Sequence, residues 1–526
     1  MLEKFGVIDL FAGPGGLGEG FSQYRAKQAS CPFQILISAE KDPAAHATLR
    51  LRAFVRQFGQ DLPKEYFAFH AGRASLADLA ERYPTQWKAA DEEARLLELG
   101  TPAAKQEMDA AIRRAKKKYG DRTVVIGGPP CQAYSLVGRA RNKGIAGYRP
   151  EDDDRHFLFK EYIRVLKSLR PAVFVMENVK GLLSSKVSES SIFELLLEDM
   201  RTLDGRHHEY EIVPLGLSDT SRDLLGGHAP SDFIIRSEDY GVPQNRHRVI
   251  LLGIRKDLFQ SAAMQTSLQR LRRRPQSTVE HVLTGMPRLR SGLSGGADAP
   301  DTWRDTVAAE MARVIRSLRT GEPQLAKRAE MLKAEFERQN DLPPRSDRAS
   351  SSFSAECPAE LRSWIERPRL KATANHETRG HMPSDLGRYF FAATFATVLG
   401  RSPTADEFPR ILAPNHANWS TGKFADRFRV QVSTAAATTV TSHISKDGHY
   451  FIHPDAIQCR SLTVREAARI QTFPDDYVFM GSRTEQYTQV GNAVPPYLAN
   501  QIAGVVHGIL TAAMPAAASA RSPRVA

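Results

Sequence analysis

The sequence predicts an α/β fold with a doubly wound, mostly parallel sheet. Short apolar runs alternate with helix-like segments between Lys4 and about Arg255, an order typical of parallel strands joined by helices. A glycine-rich loop follows the first apolar run, and a stiff glycine–proline loop follows the third. Both loops therefore fall at the carboxyl ends of strands, where open α/β sheets bind their ligands.

The candidate strands are runs rich in Val, Ile, Leu and Phe, at 5–11, 33–40, 123–128, 172–179 and 248–254. Each run is bounded by loop or helix-like sequence and has the length of a buried strand.

The chain divides into four predicted regions. Residues 1–255 form a first domain, with a charged, helical insertion at about 76–120. Residues 256–458 are basic, contain a Gly/Ser-rich loop, and form a second domain devoted to recognition. Amphipathic helices bring 459–511 back to the first domain. Residues 512–526 are poor in large apolar side chains, and we predict a disordered tail.

The composition is compatible with a nucleic-acid partner but does not require one. The chain has 526 residues, a net charge of +12 and a pI near 9.5, values typical of a basic enzyme or of a protein that binds a polyanion. Its four cysteines show no C-x-x-C spacing, which argues against a zinc site or a disulfide framework. We find no signal peptide and no membrane span, and we expect a cytoplasmic protein with no membrane partner.

The first loop, DLFAGPGGLGEGF at 9–21, follows a strand and opens a helix. Gly13, Gly15 and Gly16 would let a ligand approach the main chain, and the helix start offers free N–H groups. No Gly-Lys-Ser/Thr follows, so this is not a P-loop. Glu40 ends the second strand, where a carboxylate can accept ribose hydroxyls. The pair indicates a nucleoside cofactor; the alternative is a glycine turn beside a surface glutamate.

The second loop, GGPPCQAYS, carries Cys131 on a backbone stiffened by two prolines. Glu177 ends the next strand after an apolar run, so we expect it to be partly desolvated, with a raised pKa that suits proton transfer near neutral pH. A solvated strand-end acid is the alternative. In QNRHRV, Arg246 and Arg248 precede a strand and would point to one face if extended; simple surface ion pairing is the alternative there.

The wording and order of these motifs closely resemble the DNA cytosine-5 methyltransferases of bacterial restriction–modification systems. The resemblance covers about 4–255 and 460–510, and the middle segment corresponds by position to the family's variable target-recognition region. The matching pieces are DLFAGPGG, the strand end at Glu40, GGPPCQAYS, ENV, QNRHRV, LTVREAARIQTFPDDY and QVGNAVPP.

The resemblance implies a fold, a reaction and three catalytic residues. The fold would be a Rossmann-like, S-adenosylmethionine-dependent methyltransferase domain with a smaller, irregular target-recognition domain. Cys131 would add to C6 of a cytosine flipped out of double-stranded DNA, which activates C5 toward the methyl group. Glu177 would donate a proton or a hydrogen bond to N3, and Arg248 would contact the base.

The resemblance also implies a site for S-adenosylmethionine. Phe11 would pack on the adenine, Glu40 would hold the ribose, and Asn492 would lie near the methionine end. The other residues of this implied set are Gly13, Gly15, Gly16 and Pro129. One departure concerns the adenine amine, because the family usually binds it with an aspartate after the third strand. This chain has Ala71–Gly72 where we expect that aspartate, with Asp78 further along. A main-chain contact in place of the aspartate side chain is the alternative.

Other functions remain open at this point. A zinc-dependent deaminase needs P-C-x-x-C, and this chain has Tyr134 at the second cysteine position. A tRNA methyltransferase of the same family and a catalytically silent DNA-binding protein are the two alternatives. The long middle segment favours an enzyme that reads a DNA sequence. Family habit implies a functional pairing with a restriction endonuclease, and we expect a monomer that holds no metal.

Overall fold

The computed structural model describes residues 4–26, 30–130, 155–184, 186–187, 190–203, 207–216, 228–260, 270–295, 298–414 and 427–514. Cys131 and most of the predicted tail lie outside these residues. Ala512 and Ala513, the first two residues of the predicted tail, still belong to the last helix.

The strands are β1 Phe5–Leu10, β2 Phe33–Glu40, β3 Ala94–Leu96, β4 Thr123–Gly127, β5 Val173–Val179, β6 Lys186–Val187, β7 Ser190–Ser191, β8 Tyr210–Val213, β9 Ile234–Arg236, β10 Gln244–Asn245, β11 His247–Arg255, β12 Gly292–Leu293, β13 Gly380–His381 and β14 Ala437–Thr438.

The α-helices are α1 Gly16–Gln23, α2 Pro43–Arg56, α3 Lys64–His70, α4 Leu76–Arg82, α5 Pro84–Glu93, α6 Pro102–Tyr119, α7 Arg155–Leu169, α8 Ile192–Arg201, α9 Lys256–Phe259, α10 Val279–Leu283, α11 Pro300–Leu318, α12 Pro323–Glu337, α13 Ala359–Ile365, α14 Pro383–Leu399, α15 Val464–Ile470, α16 Arg483–Asn492 and α17 Pro496–Ala513. Short 3-10 helices lie at Lys180–Ser184, Pro230–Phe233, Ser237–Tyr240, Ala405–Glu407, Arg410–Leu412, Ser442–Ser445 and Ala456–Gln458.

The main sheet has eight strands in the order β3-β2-β1-β4-β5-β11-β8, with β9 paired to β11. The strands from β3 to β5 are parallel, whereas β11 runs antiparallel to both β5 and β8. The mostly parallel sheet predicted from the sequence is confirmed. The strand β3 lies inside the stretch predicted as a helical insertion, and it forms one edge of the sheet.

The two faces of the sheet pack against different helices. On one face, side chains such as Val7 and Val124 pack with Phe21 of α1 and Ile502 of α17. On the other face, the adjacent strand residue Ile8 and its neighbours pack with α6, α7 and α8. Successive strand residues point to opposite faces, and helices on both faces explain why these strands are continuous apolar runs.

The carboxyl-terminal helix α17 packs directly on α1, near the start of the chain. A Cβ on Gly20 would lie 2.4 Å from Cβ of Ala499, so the two helices approach at backbone distance. The Asn500 amide nitrogen donates a hydrogen bond to the Gly20 carbonyl at 2.9 Å. The last helix therefore packs directly on the first helix, on one face of the main sheet. The assignment of 459–511 to the first domain remains a prediction.

A separate apolar core forms among α11, α12 and α14 within the middle segment. Other parts of that segment, such as Leu271 and Leu361, pack instead into the core shared by the sheet and α17. The boundaries assigned from the sequence to the second domain remain a prediction. No helix in the described part of the chain is long and apolar enough to cross a membrane.

Asp9 is a fully buried acid in β1, at the centre of the main sheet. Neither carboxylate oxygen has a hydrogen-bond partner among the described residues. Burial raises the pKa of Asp9 to about 8, and the nearby Arg56 only partly opposes this effect. The carboxyl group is therefore held mostly protonated at neutral pH.

Replacement of Gly20 by alanine tests the contact between α1 and α17. We expect Gly20→Ala to lower the free energy of unfolding by about 1–3 kcal/mol, because its methyl group meets main-chain atoms of Ala499 and Asn500 that cannot move aside. Urea unfolding measures the change. Gly321→Ala is the control, since its Cβ would meet open space; equal effects of both substitutions would contradict the packing.

Replacement of Asp9 by asparagine tests the buried carboxyl group. The folded pKa of about 8 exceeds the ordinary 3.8, so unfolding releases a proton, and the stability this group contributes below pH 4 is lost as pH rises to 8. Asparagine does not titrate. We expect the stability of Asp9→Asn relative to wild type to rise by up to about 1.4 kcal/mol per pH unit between pH 5 and 8.

Urea unfolding at unit pH steps measures this difference. Asp61→Asn is the control, because the Asp61 side chain is fully exposed. A difference between Asp9→Asn and wild type that stays constant with pH would show that Asp9 is ionised in the folded protein.

Candidate active site

Glu177 and Arg248 form an ion pair at one end of two adjacent strands. The antiparallel register of β5 and β11 aligns Arg248 with Val179 and Ile250 with Glu177. Nε of Arg248 lies 2.9 Å from Oε1 of Glu177, and both side chains are largely buried, with 15% and 13% exposed. A planar guanidinium fixed against a carboxylate in this way has a defined orientation. The structure brings these two predicted catalytic residues together.

The glycine–proline loop passes close to this pair. A Cβ on Gly128 would lie 2.9 Å from Oε2 of Glu177, so glycine is needed there for the carboxylate to lie beside the loop. Asn178 donates a hydrogen bond from its side-chain nitrogen to the Pro129 carbonyl at 3.2 Å. The ENV motif therefore holds the loop that leads to Cys131. Cys131 itself lies outside the described residues.

Arg246, which lies between β10 and β11, has different partners from Arg248. It is almost fully buried and donates to the main-chain carbonyls of Val440 at 2.7 Å and Gly491 at 3.2 Å. Burial lowers the pKa of Arg246 well below its ordinary value, and the charge of Arg248 lowers it further. The two arginines are thus close enough to interact, but Arg246 contacts the rest of the fold and Arg248 contacts Glu177.

The glycine loop and Glu40 form the second part of the site. Gly13 has φ +57°, and a Cβ there would meet no protein atom within 4 Å. Its N–H donates to Oε2 of Glu40 at 2.8 Å, while Oε1 of Glu40 accepts from the main chain of Lys41 and Asp42. The carboxylate is therefore fixed at the strand end, beside open space where a ligand can approach the main chain.

Gly15 and Gly16 serve close packing within the protein. A Cβ on Gly15 would lie 2.9 Å from the Tyr477 hydroxyl oxygen, and one on Gly16 would lie 2.3 Å from the Val494 carbonyl oxygen. This second contact joins the glycine loop to the GNAVPP turn. Asn492 is exposed at the end of α16, two residues before Val494. Cofactor binding by these residues remains a prediction.

Phe11 has the left-handed backbone conformation, with φ +55°. For an aromatic residue this conformation costs about 1–2 kcal/mol, and such outliers cluster where a ligand is bound. Its half-buried ring packs at the margin of the core that contains β1 and β2. The strained backbone lies between the end of β1 and Gly13.

The expected position of the adenine-binding acid was wrong. Ala71 and Gly72 follow a helix, α3, and not a strand. The third strand along the chain is β3, at the edge of the sheet. Glu98 follows its carboxyl end, and a carboxylate oxygen of Glu98 lies 3.4 Å from Nζ of Lys41, which follows β2. The sequence signal for this position is an acid two residues beyond the ARL run. It was missed because β3 has only three residues and one of them is charged.

A buried charge network fixes the glycine loop from below. Arg52 of α2 contacts Glu19 of α1 at 2.5 Å and Asp476 at 2.8 Å. Burial raises the pKa of Asp476, but Arg52 and Arg367 outweigh burial and hold that pKa well below its ordinary value. The neighbouring Tyr477 hydroxyl donates to the Pro14 carbonyl in the loop.

The three described cysteines are poor nucleophiles. Burial raises the pKa of Cys31 and of Cys459, and it raises the pKa of Cys357 to about 11. Because the thiolate is the reactive form, these residues hold structural positions. Cys131 is the remaining cysteine of the four in the sequence.

Comparison with known proteins identifies a family. Residues 98–507 match the family of C-5 cytosine-specific DNA methylases. The chain is 34% identical over 520 residues to the type II methyltransferase M.Bpa9945I of Bacillus paralicheniformis, covering 96% of this chain and 99% of that relative. It is 25% identical over 531 residues to the type II methyltransferase M.AgeI of Thalassovita gelatinovora, covering 95% and 98% of the two chains.

The fold has a counterpart among solved structures. A protein described as a DNA modification methyltransferase encoded within an Escherichia coli prophage superposes with a TM-score of 0.50 and 18% identity, covering 97% of this chain and 100% of that one. That likeness bears on the fold alone. The family match and the 34% identical relative show that this chain belongs to the C-5 cytosine-specific DNA methylase family and is a DNA (cytosine-5-)-methyltransferase.

Proposed function

We propose that this enzyme methylates C5 of one cytosine within a specific double-stranded DNA sequence, through a covalent adduct between Cys131 and C6 of a flipped-out base. The single observation that carries the proposal is the Glu177–Arg248 pair, which lies against the Gly128–Pro129 loop that leads to Cys131. An acid, a base-contacting cation and a nucleophile would then converge on one base.

The chemistry follows from the electron demand of cytosine. The Cys131 thiolate would form a bond to C6, and the displaced electron pair would make C5 nucleophilic. Glu177 would hold N3 by a proton or hydrogen bond while negative charge develops there, and Arg248 would orient the carboxylate and contact the base. Loss of the C5 proton after methylation would return an electron pair to the ring and release the thiolate. The residue or water that takes this proton is unassigned.

The residues around Gly13 fit S-adenosylmethionine. Open space beside Gly13, the fixed carboxylate of Glu40 and the strained backbone of Phe11 support a nucleoside ligand at this strand end. Bound there, S-adenosylmethionine would supply an electrophilic methyl group. Glu40 would hold the ribose hydroxyls, Phe11 would pack on the adenine, and Glu98 would accept a hydrogen bond from the adenine amine.

The biological role follows from the same proposal. Methylation at one short sequence would protect DNA from a cognate restriction endonuclease. The single chain contains both the catalytic residues and a long middle segment for recognition, so it would act as a monomer in the cytoplasm, where the DNA is.

The nucleophile is tested by Cys131→Ser. We expect the substitution to lower the methylation rate on the order of 10⁴-fold or more, because serine is not ionised at neutral pH and cannot replace the thiolate. Bisulfite sequencing of plasmid DNA from cells that express each variant maps 5-methylcytosine. Wild type should mark one short motif, and Cys131→Ser should leave it unmarked.

Cys31→Ser is the matched control, since this half-buried thiol at the margin of the core donates hydrogen bonds to main-chain carbonyls that serine can retain. Full activity of Cys131→Ser would refute the assigned nucleophile. Methylated cytosine in tRNA and none in DNA would refute the DNA substrate.

The adenine contact is tested by Glu98→Ala. We expect weaker binding of S-adenosylhomocysteine, by about 5-fold, because one hydrogen bond to the adenine amine is lost. Isothermal titration measures the affinity. The inosine analogue, in which a carbonyl replaces the amine, should bind wild type poorly and should bind Glu98→Ala about as well as the adenosine compound does.

Glu107→Ala is the control, because this acid pairs with Arg95 on the surface. If Glu98→Ala still discriminates between the two compounds as strongly as wild type, another group reads the adenine amine.

A further inference from the structure

Val440 of the middle segment is held at both of its main-chain polar groups by side chains from the QNR sequence before β11. Its N–H donates to Oε1 of Gln244 at 2.8 Å, and its carbonyl accepts from Nη1 of Arg246 at 2.7 Å. Gln244 and Arg246 are both buried, and the residue between them is exposed. Two alternate residues of one extended segment thus grip one residue of another.

The same two side chains extend the contact to the carboxyl-terminal part. Nε2 of Gln244 donates to Oε1 of Gln471, and Nε2 of Gln471 donates to the Val490 carbonyl at 2.9 Å. Nη2 of Arg246 donates to the Gly491 carbonyl. We call Gln244, Arg246 and Gln471 the polar staple. It joins the middle segment, the short sequence Gln244–Arg246 before β11, and the GNAVPP turn.

Close packing makes this junction intolerant of movement. A Cβ on Gly491 would lie 2.3 Å from the nitrogen of Ser442 and from the carbonyl carbon of Thr441. The strands β10 and β14 pair in parallel beside it, with Gln244 opposite Ala437. The segment around Val440 therefore has one register against β10.

The residues on either side of Val440 line an open cleft of about 620 Å³. Thr439 and Thr441 contribute to its wall together with Asn245, His443 and Tyr450. The Thr439 hydroxyl donates to the Asn245 carbonyl, which fixes this wall to the residue three positions before Arg248. Hydroxyl, imidazole and amide groups of this kind suit a nucleic-acid strand.

Burial of the Arg246 guanidinium is unfavourable, and the contacts it makes could be made by a neutral side chain. The guanidinium is buried against neutral carbonyls, and in the described ranges no carboxylate pairs with it and its Nε has no hydrogen-bond partner. A buried cation without a counter-charge costs stability. It lies two residues from Arg248 on the same extended segment.

We propose that Gln244 and Arg246 are positioning residues, which lock the Thr439–Thr441 wall of the DNA cleft in register with the Glu177–Arg248 pair and so couple recognition of the DNA strand to methyl transfer. The inference rests on the proposed function. Without the staple the cleft could still bind DNA, but the target base would no longer be presented in a fixed position to the catalytic pair. A displacement near 1 Å can lower a rate by about 100-fold.

The test uses the full-length enzyme and a duplex that carries its mapped site. We expect Arg246→Met to lower kcat by about 10- to 100-fold, while the Kd for S-adenosylhomocysteine stays within about twofold of wild type because the Gly13–Glu40 site is untouched. Preference for the mapped site over sites that differ by one base pair should also fall. Arg246→Lys keeps one donor and should recover part of kcat.

Two further variants separate positioning from folding. Gln244→Leu removes the other grip on Val440 without removing a charge, and it should show the same pattern if Arg246→Met does not fold. Arg379→Met is the matched control, since Arg379 is also a buried guanidinium that donates to two carbonyls, those of Ile444 and Lys446. It should lower the free energy of unfolding and leave kcat near the wild-type value.

Wild-type methylation of the duplex is measured first, and its absence would overturn the proposed function and this inference together. With an active wild type, folded Arg246→Met or Gln244→Leu that keeps both kcat and site preference would overturn the inference alone. A kcat in Arg379→Met as low as in Arg246→Met would also overturn it, because any weakened packing would then suffice.

Discussion

The buried ion pairs of Arg52 with Glu19 and Asp476 constrain the rest of this site. They join α1, α2 and the FPDDY segment beneath the glycine loop. Loss of one partner from a buried network of this kind costs about 3–5 kcal/mol, because the remaining charge is left uncompensated. The network therefore ties the shape of the glycine loop to the FPDDY segment, whose Tyr477 also donates a hydrogen bond to the Pro14 carbonyl.

The QNRHR sequence at the start of β11 carries side chains with two different sets of partners. Gln244 and Arg246 point into the fold and hold main-chain groups of distant segments, whereas Arg248 points to Glu177. The contacts of Gln244 and Arg246 with Val440 fix the position of the middle segment relative to β11. In the proposed mechanism, Arg248 contacts the target base from that fixed position. The two arginines of this short motif therefore have different partners, although both are largely buried.

Most of the sheet could be predicted from the sequence because its central strands are buried on both faces and read as continuous apolar runs. The strand β3 could not, since an edge strand of three residues, ARL, carries no periodic signal. Because of that miss, the position of the adenine-binding acid was expected near Ala71–Gly72, which lie at a helix end. The staple and the Arg52 network could not be predicted either, because their partners are far apart in the chain. Arg52 and Asp476, for example, lie 424 positions apart, and each residue alone would be expected on the surface.

The glycines at the junctions explain why the two ends of the chain form one unit. Gly16 and Gly20 admit the main chain of the carboxyl-terminal segment at distances where any side chain would collide, and Gly491 does the same for the middle segment. Packing between backbones leaves no flexible side chains to absorb a shift, so a displacement at one contact is transmitted to the next. The close approaches at Gly16 and Gly491 therefore fix the positions of the glycine loop, the GNAVPP turn and the middle segment relative to one another. For a DNA strand bound by the middle segment as proposed, these rigid contacts would set its distance from Glu177.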